Sequence, residues 1–125
     1  MITAKSSAQN YQVFFTDGLH HGVADTTEDK GGGNNGFRPH DLLEAALATC
    51  LNMWLSMCAN NHGIPVAQVE TRVSLDRSRS DEVIVNYSID ISGSLSGSEK
   101  QKLLAAAQTC PVHKTLAKKL TLKAV

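Results

Sequence analysis

Polar and apolar residues alternate near the start of the chain in a way that predicts a β-hairpin. Residues 11 to 16 alternate with the period of a strand, and the dipeptide Asp17-Gly18 that follows is typical of a tight turn. We expect the return strand in the segment LHHGVAD. The next segment, TTEDKGGGNNG at residues 26 to 36, lacks any such alternation and is expected to form a mobile loop.

A long apolar segment then predicts a helix from Pro39 to about residue 61. Proline is tolerated in the first helical turn, and Gly63 followed by Pro65 predicts the end of the helix. The helix is apolar on most of its circumference, and its polar residues form a narrow row: Glu44, Asn52, Ser56 and Asn60. Because such a short chain cannot easily wrap a helix of this length, we expect a partner subunit to cover part of it, which predicts a homodimer.

The second half of the chain predicts two strands and two helices. Alternation at residues 68–75 and 82–91, joined by the short polar segment RSRSD, indicates an antiparallel pair. Ser96 and Glu99 have the spacing of a capping box, and Pro111 is expected to end that helix and start a last one through VHKTLAKKL. This order of elements predicts an α+β fold.

Composition narrows the function classes. The 125 residues predict one domain, residues 1-125, in which residues 1-36 form a hairpin and a glycine-rich loop. With 12 basic and 12 acidic residues, the net charge of zero favours neither nucleic acid nor an anionic membrane as a partner. The sequence shows no secretory signal, and polar residues interrupt its apolar stretches, so we expect no membrane span. Three cysteines in such a chain predict reduced thiols and a cytoplasmic location.

Cys50 is the first residue with candidate chemistry. At helical spacing its neighbours are all apolar: Leu43, Ala46, Leu47, Met53, Trp54 and Met57. Burial among such residues raises the pKa of a thiol and makes it inert unless a cation or a donor lies close, so Cys50 is either a core residue or an activated thiol. Arg38 and His40, just before the helix, are the candidate activating groups, and Arg38 is favoured because its charge is permanent.

Cys110 lies in a different setting, directly before Pro111 at the predicted start of a helix. Unpaired backbone N–H groups there suit a nucleophile or a resolving thiol, although a capping or packing role is an equal alternative. Pairing with His113 would suit acyl transfer, which is a weaker hypothesis because no third orienting group is evident. We assign Cys58 to core packing. No HxxxH or CxxC spacing supports a metal site, so we expect none.

The segments RPHDLLEAALATC and TCPVHKTL resemble the OsmC/Ohr family of small, intertwined homodimeric thiol peroxidases. The resemblance covers residues 37 to 120 and implies an α+β dimer in which a long central apolar helix packs on antiparallel sheet. It implies reduction of hydroperoxides, preferably organic ones, without a cofactor. Cys50 matches the family's peroxidatic cysteine and Cys110 its resolving cysteine.

The resemblance also implies roles for other residues. The activating arginine of the family typically comes from the N-terminal strand region, but the first arginine in this chain is Arg38, which would complete the catalytic group in its place. The apolar residues around Cys50 would receive the alkyl chain: Leu47, Met53, Trp54 and Met57. Where family members carry glutamate after the proline that starts the helix, this chain has His40. The possible activating residues are therefore His40, Asp41 and Glu44. A dithiol, such as a lipoyl-type one, would act as the reductant.

Two hypotheses of different classes follow from these observations. The first is a dimeric thiol peroxidase that works through a Cys50 sulfenic acid and a Cys50–Cys110 disulfide. The alternative is a non-enzymatic dimer of the same fold that binds a hydrophobic small molecule. The departures from the family at His40 and at the N-terminal arginine favour the alternative, whereas the presence of both Cys50 and Cys110 favours the first hypothesis. A cysteine hydrolase that uses Cys110 and His113 is the third and weakest.

Overall fold

The computed structural model describes all 125 residues and confirms the α+β class. It contains five strands, three α-helices and two short 3-10 helices. The strands are β1 Thr3–Ser6, β2 Val13–Thr16, β3 His21–Ala24, β4 Val66–Asp76 and β5 Ile84–Gly93. The helices are α1 Pro39–Asn61, α2 Gly97–Ala106 and α3 Pro111–Leu116, with 3-10 turns at Glu28–Lys30 and Ala107–Thr109. The chain divides into two compact units, Met1–Leu43 and Glu44–Val125.

The first unit contains a three-stranded antiparallel sheet in the order β1–β2–β3. The predicted hairpin is present as β2 and β3, with Thr16 paired to His21 across the turn. The first of these strands begins at Val13, later than predicted, because Tyr11 has a φ of +66°, which is incompatible with a strand. Strand β1 was missed, since its residues TAKS are all exposed and carry no apolar alternation.

The glycine-rich loop is held in place by hydrogen bonds, contrary to its predicted lack of structure. The buried carboxylate of Asp25 accepts hydrogen bonds from the backbone N–H groups of Thr26, Gly33 and Asn35. These bonds hold the pKa of Asp25 below its ordinary value of 3.8, the bond from Asn35 having the largest effect. A parallel bridge between Ala24 and Phe37 closes the base of the loop.

Helix α1 has the bounds that the sequence predicted. Arg38 is its N-cap residue by position, and the Asp41 carboxylate accepts a hydrogen bond of 2.9 Å from the Arg38 backbone N–H. At the other end Gly63 adopts a φ of +63°, the left-handed conformation that commonly stops a helix. Turn chemistry that is local in sequence therefore determines both ends.

In the second unit, β4 and β5 form the predicted antiparallel pair. Strand β4 is longer than predicted at both ends, and β5 is shifted by about two residues toward the C-terminus. The polar row on α1 faces β4: the Asn52 side chain donates to the Val69 carbonyl, and Glu44 accepts from the Leu75 N–H. This row is therefore a polar seam between helix and sheet.

The buried side of α1 is narrower than the sequence predicted for a helix that is apolar on most sides. Four residues at four-residue spacing are buried in the core: Leu47, Leu51, Leu55 and Ala59. Met53 and Met57 are each 56% exposed in the single chain. By length and hydropathy α1 is also the one helix capable of crossing a membrane, a test that core helices of globular proteins pass as well.

The C-terminal helices follow the predicted capping signals. Ser96 and Glu99 form the complete capping box at the start of α2. Pro111 starts α3, which ends at Leu116, earlier than predicted. The residues after Leu116 are exposed, and a short helix without a buried face is unstable in water.

Candidate active site

The structure brings Cys50 and Cys110 into direct contact. They are 60 residues apart in sequence, yet the two sulfur atoms lie 2.7 Å apart, within hydrogen-bond contact. The predicted convergence of the two thiols is confirmed. Cys110 belongs to the hydrophobic core of the second unit and Cys50 packs against that core, so the thiol pair lies in apolar surroundings.

A sharp change of chain direction positions Cys110. Helix α2 passes into the 3-10 turn Ala107–Thr109, and Cys110 is the N-cap residue that directly precedes α3, as predicted. Its backbone N–H donates to the Ala107 carbonyl, and Pro111 prevents the preceding helix from continuing. Cys110 is fully buried, with 0% of its surface exposed.

Cys50 is partly exposed, and its environment favours the protonated thiol. Burial raises its pKa above 9.0 as the largest effect, and the hydrogen bond with Cys110 raises it further. The backbone N–H of Val112, in the first turn of α3, donates to Cys50 and acts in the opposite direction. The sequence suggested backbone N–H donors near Cys110, and the one at Val112 donates to the Cys50 sulfur instead.

The apolar residues predicted to form a wall around Cys50 do not share one environment in the structure. Leu47 is buried and forms part of a cavity of about 160 Å³, shared with Tyr87 and His113. Met53 borders an open groove against β4, and Met57 is exposed. Leu47 and Met53 therefore face two separate spaces in the single chain.

Trp54, the fourth residue assigned to the wall, makes polar contacts as well. Its indole N–H lies 2.9 Å from the Thr109 hydroxyl and 3.1 Å from the Ala106 carbonyl. Trp54 therefore connects α1 with the turn that precedes Cys110.

The predicted activating residues make other contacts near the start of α1. Arg38 forms a two-pronged ion pair with Asp41 and so lowers the pKa of Asp41, the side-chain bond having the largest effect. His40 is exposed, and Glu44 is bonded to the backbone of β4 at Leu75. The assignment of an activating role to Arg38 or His40 stays a prediction.

The Cys110–His113 pair required for a hydrolase is not formed. The Cys110 sulfur contacts the Cys50 sulfur, and the His113 ring packs edge-on against Tyr87 with centroids 5.7 Å apart. Cys58 packs against the core, as predicted. No group of three or more His, Cys, Asp or Glu side chains in residues 1–125 could hold a metal ion.

Sequence reasoning missed three contributors to this site: Val112, Thr109 and Tyr87. Val112 follows Pro111 in the motif CPV, so its position in a helical first turn was a readable signal for a backbone donor. Thr109 and Tyr87 carried no such signal, because their contacts with Trp54 and His113 depend on the packing of distant segments.

Comparison with known proteins fits this arrangement. A family model described as OsmC-like protein matches residues 31–124. The chain belongs to the OsmC-like protein family. The match begins in the glycine-rich loop and so extends slightly beyond the residues that carried the resemblance. A search of curated proteins finds no match to the sequence.

Solved structures share the OsmC-like fold. An OsmC-like protein from Mycoplasma pneumoniae superposes with a TM-score of 0.80 at 21% identity, over 93% of this chain and 85% of that one. The organic hydroperoxide resistance protein OhrB of Bacillus subtilis superposes with a TM-score of 0.66 at 24% identity, over 94% and 89%. An organic hydroperoxide resistance protein from Legionella pneumophila gives the same TM-score and identity, over 94% and 88%. At these identities the likeness establishes the fold.

Proposed function

We propose that this OsmC-like protein is a thiol-dependent peroxidase that reduces organic hydroperoxides. The observation that carries the proposal is the 2.7 Å contact between the Cys50 and Cys110 sulfurs. Two thiols in contact can store the two electrons that a hydroperoxide takes up, without a metal or an organic cofactor. The hydroperoxide resistance proteins among the similar structures support this choice of substrate class.

Cys50 is the proposed peroxidatic residue because it is partly exposed, whereas Cys110 is fully buried. Its thiolate attacks the distal oxygen of the hydroperoxide, the O–O bond breaks, and the alkoxide takes a proton to leave as an alcohol. Cys50 becomes a sulfenic acid. The Cys110 sulfur then displaces hydroxide from Cys50, forming a disulfide and, with the released proton, water.

A dithiol reductant returns the protein to its starting state. Cys50 is the accessible sulfur of the disulfide, so the reductant attacks there and Cys110 leaves as a thiolate. The second thiol of the reductant resolves the mixed disulfide and is itself oxidised to a disulfide. A lipoyl-type dithiol fits this sequence of steps.

The raised pKa of Cys50 must be offset for attack at neutral pH. The Val112 N–H already favours the thiolate. We propose that a cation from the segment before α1 supplies the rest, with Arg38 as the first candidate and His40 as the second. Arg38→Met is expected to slow Cys50 oxidation, whereas Arg77→Met, a change in the exposed link between β4 and β5, serves as the control.

The proposal is tested by adding stoichiometric tert-butyl hydroperoxide to the reduced protein. We expect two thiols to be consumed and mass mapping to find a Cys50–Cys110 disulfide. Cys50→Ser is expected to abolish the reaction, and Cys110→Ser to stop it at a sulfenic acid that dimedone traps. Cys58→Ser is the matched control and is expected to react normally. Peroxide treatment that leaves all three thiols titratable would refute the proposal.

The second candidate function is a non-enzymatic dimer that binds a hydrophobic small molecule. The raised pKa of Cys50 favours it, because a protonated thiol reacts poorly with peroxide. The cavity shared by Leu47, Tyr87 and His113 is an apolar space that such a ligand could enter. If the thiols stay reduced under peroxide, saturable binding of an apolar fluorophore, lost in Leu47→Trp, would support this candidate.

We further propose that the protein is a cytoplasmic homodimer that covers the exposed side of α1. Met53 and Met57 are both more than half exposed in the single chain, although the helix has no charged residue after Glu44. Large exposed apolar side chains aligned on one helix face mark an interaction surface. Sedimentation is expected to give a dimer, and Met53→Lys to weaken it, whereas Val83→Lys on an exposed link should not.

A further inference from the structure

Trp54 connects the helix that carries Cys50 to the turn that carries Cys110. Its indole N–H is shared between the Thr109 hydroxyl at 2.9 Å and the Ala106 carbonyl at 3.1 Å. The Thr109 hydroxyl in turn donates to the Ala106 carbonyl at 2.6 Å. These three bonds form a closed polar cluster on the turn Ala107–Thr109, which we call the indole tether.

The indole tether lies close in sequence to both thiols. Trp54 is four residues after Cys50, about one helical turn away, and Thr109 directly precedes Cys110. The same two segments are therefore joined twice, once through the sulfurs and once through the tether. The Cys110 side chain makes no capping bond to α3, so its position depends on core packing and on the preceding turn.

We infer that Trp54 is a positioning residue that keeps Cys110 within reach of Cys50 for disulfide closure. This inference rests on the proposed peroxidase function. In the closing step the Cys110 sulfur attacks the Cys50 sulfenic sulfur, the S–O bond breaks, and hydroxide leaves to take up the thiol proton. The sulfurs must approach to about 2.05 Å, and a tether that limits the movement of the turn raises the fraction of productive orientations.

Thr109→Val is the sharpest test because it removes the hydroxyl and keeps the shape of the side chain. We expect the closing step to slow about tenfold, while the rate of Cys50 oxidation by tert-butyl hydroperoxide stays unchanged. Thr109→Ser, which retains the hydroxyl, is expected to restore closure. Thr115→Val is the matched control: its hydroxyl bonds to the Pro111 carbonyl within α3, away from the tether.

Rapid quenching with dimedone and mass spectrometry separates the two steps, since sulfenic acid and disulfide are counted independently. Trp54→Phe, which keeps an aromatic ring and loses the N–H, provides a second variant for the closing step alone, because Trp54 also belongs to the predicted apolar wall. Closure is expected to slow in this variant as it does in Thr109→Val. Unchanged closure in both variants would overturn the inference. Equal slowing of oxidation and closure in Thr109→Val would also overturn it, because it would indicate general loss of structure.

A second measurement does not depend on peroxide. Equilibration with glutathione redox buffers gives the effective concentration of the Cys50–Cys110 pair, which we expect to fall about tenfold in Thr109→Val and to recover in Thr109→Ser. If the unaltered protein does not react with peroxide, but the effective concentration falls in Thr109→Val and recovers in Thr109→Ser, the proposed function fails and the inference about the tether stands. If it reacts with peroxide and the effective concentration is the same in all variants, the tether fails alone.

Discussion

The side-chain amide of Asn52 donates a hydrogen bond of 2.7 Å to the backbone carbonyl of Val69. The bond crosses from α1 to β4 next to a second one, in which the Thr71 hydroxyl donates 2.8 Å to the Ala48 carbonyl. Together with the bond between Glu44 and Leu75, these contacts fix how far the helix slides along the strand. The position of Cys50 relative to the sheet depends on this register.

Replacing Asn52 with leucine is expected to lower the free energy of unfolding by about 1–2 kcal/mol, because a partly buried hydrogen bond between helix and sheet is lost. Urea unfolding followed by circular dichroism measures the change. Asn60→Leu is the control, since Asn60 lies in the same row but is exposed and makes no hydrogen bond through its side chain. Equal losses of unfolding free energy in Asn52→Leu and Asn60→Leu would contradict a stabilising role for the Asn52 hydrogen bond.

The raised pKa of Cys50 predicts the pH dependence of its reactivity. A thiol whose pKa lies above its ordinary value of 9.0 stays protonated at neutral pH, and only the thiolate reacts with iodoacetamide. The alkylation rate is therefore expected to rise about tenfold per pH unit between pH 7 and 9. The measurement uses Cys58→Ser protein, so that Cys50 is the one partly exposed cysteine. A rate that levels off below pH 8 would show that an activating cation dominates.

The difference in burial between the two thiols predicts the order of their modification. Iodoacetamide applied to the folded, reduced protein is expected to label Cys50 and Cys58 well before Cys110, which has no exposed surface. Peptide mapping after timed quenching measures the order, and denatured protein, in which all three react at similar rates, is the control. Early labelling of Cys110 would also contradict attack of the reductant at Cys50.

The carboxylate of Asp25 predicts a pH-dependent contribution to stability. Its pKa is lowered in the folded protein, so the contribution is complete above the unfolded value of 3.8 and is lost as the pH falls below it. Asp25→Asn is expected to destabilise at pH 7, because an amide cannot accept bonds at both former oxygen positions. The difference from the unaltered protein should shrink toward pH 3.

Asp81→Asn is the control for this measurement, since Asp81 is exposed and makes no hydrogen bond. The unfolding free energy of the Asp81→Asn protein should match that of the unaltered protein at pH 7 and at pH 3. An effect of Asp25→Asn that grows as the pH falls would contradict the assignment.

The parts of the fold that depend on local signals could be predicted. Pro39 and Gly63 mark the ends of α1, and Ser96 with Glu99 marks the start of α2, because capping involves residues within one turn of each other. Strand β1 could not be predicted, since its exposed polar residues are ordered through pairing with β2. The loop around Asp25 was misjudged because glycine-rich composition does not reveal a buried carboxylate that gathers distant N–H groups.

The candidate site likewise has features that could be predicted from the sequence and features that could not. The choice of Cys50 and Cys110 came from their local settings and from resemblance to a family, and the structure confirms their contact. The division of Leu47, Met53 and Met57 among separate surroundings was not visible in the sequence. Helical spacing shows which residues share a face of the helix. The neighbouring segments determine whether each of those residues lines a cavity, lines a groove or is exposed to solvent.

By itself, the sequence determined the two ends of α1, the start of α2, the pairing of β2 with β3 and of β4 with β5, and the choice of Cys50 and Cys110 as the candidate thiols. These properties follow from backbone sterics, turn chemistry and side-chain type, which act over a few residues. Only the tertiary structure decided that Val112 donates to Cys50, that Trp54 holds the turn before Cys110, and that Glu44 binds the sheet. Such contacts join residues far apart in the chain, and their geometry results from packing the whole core at once.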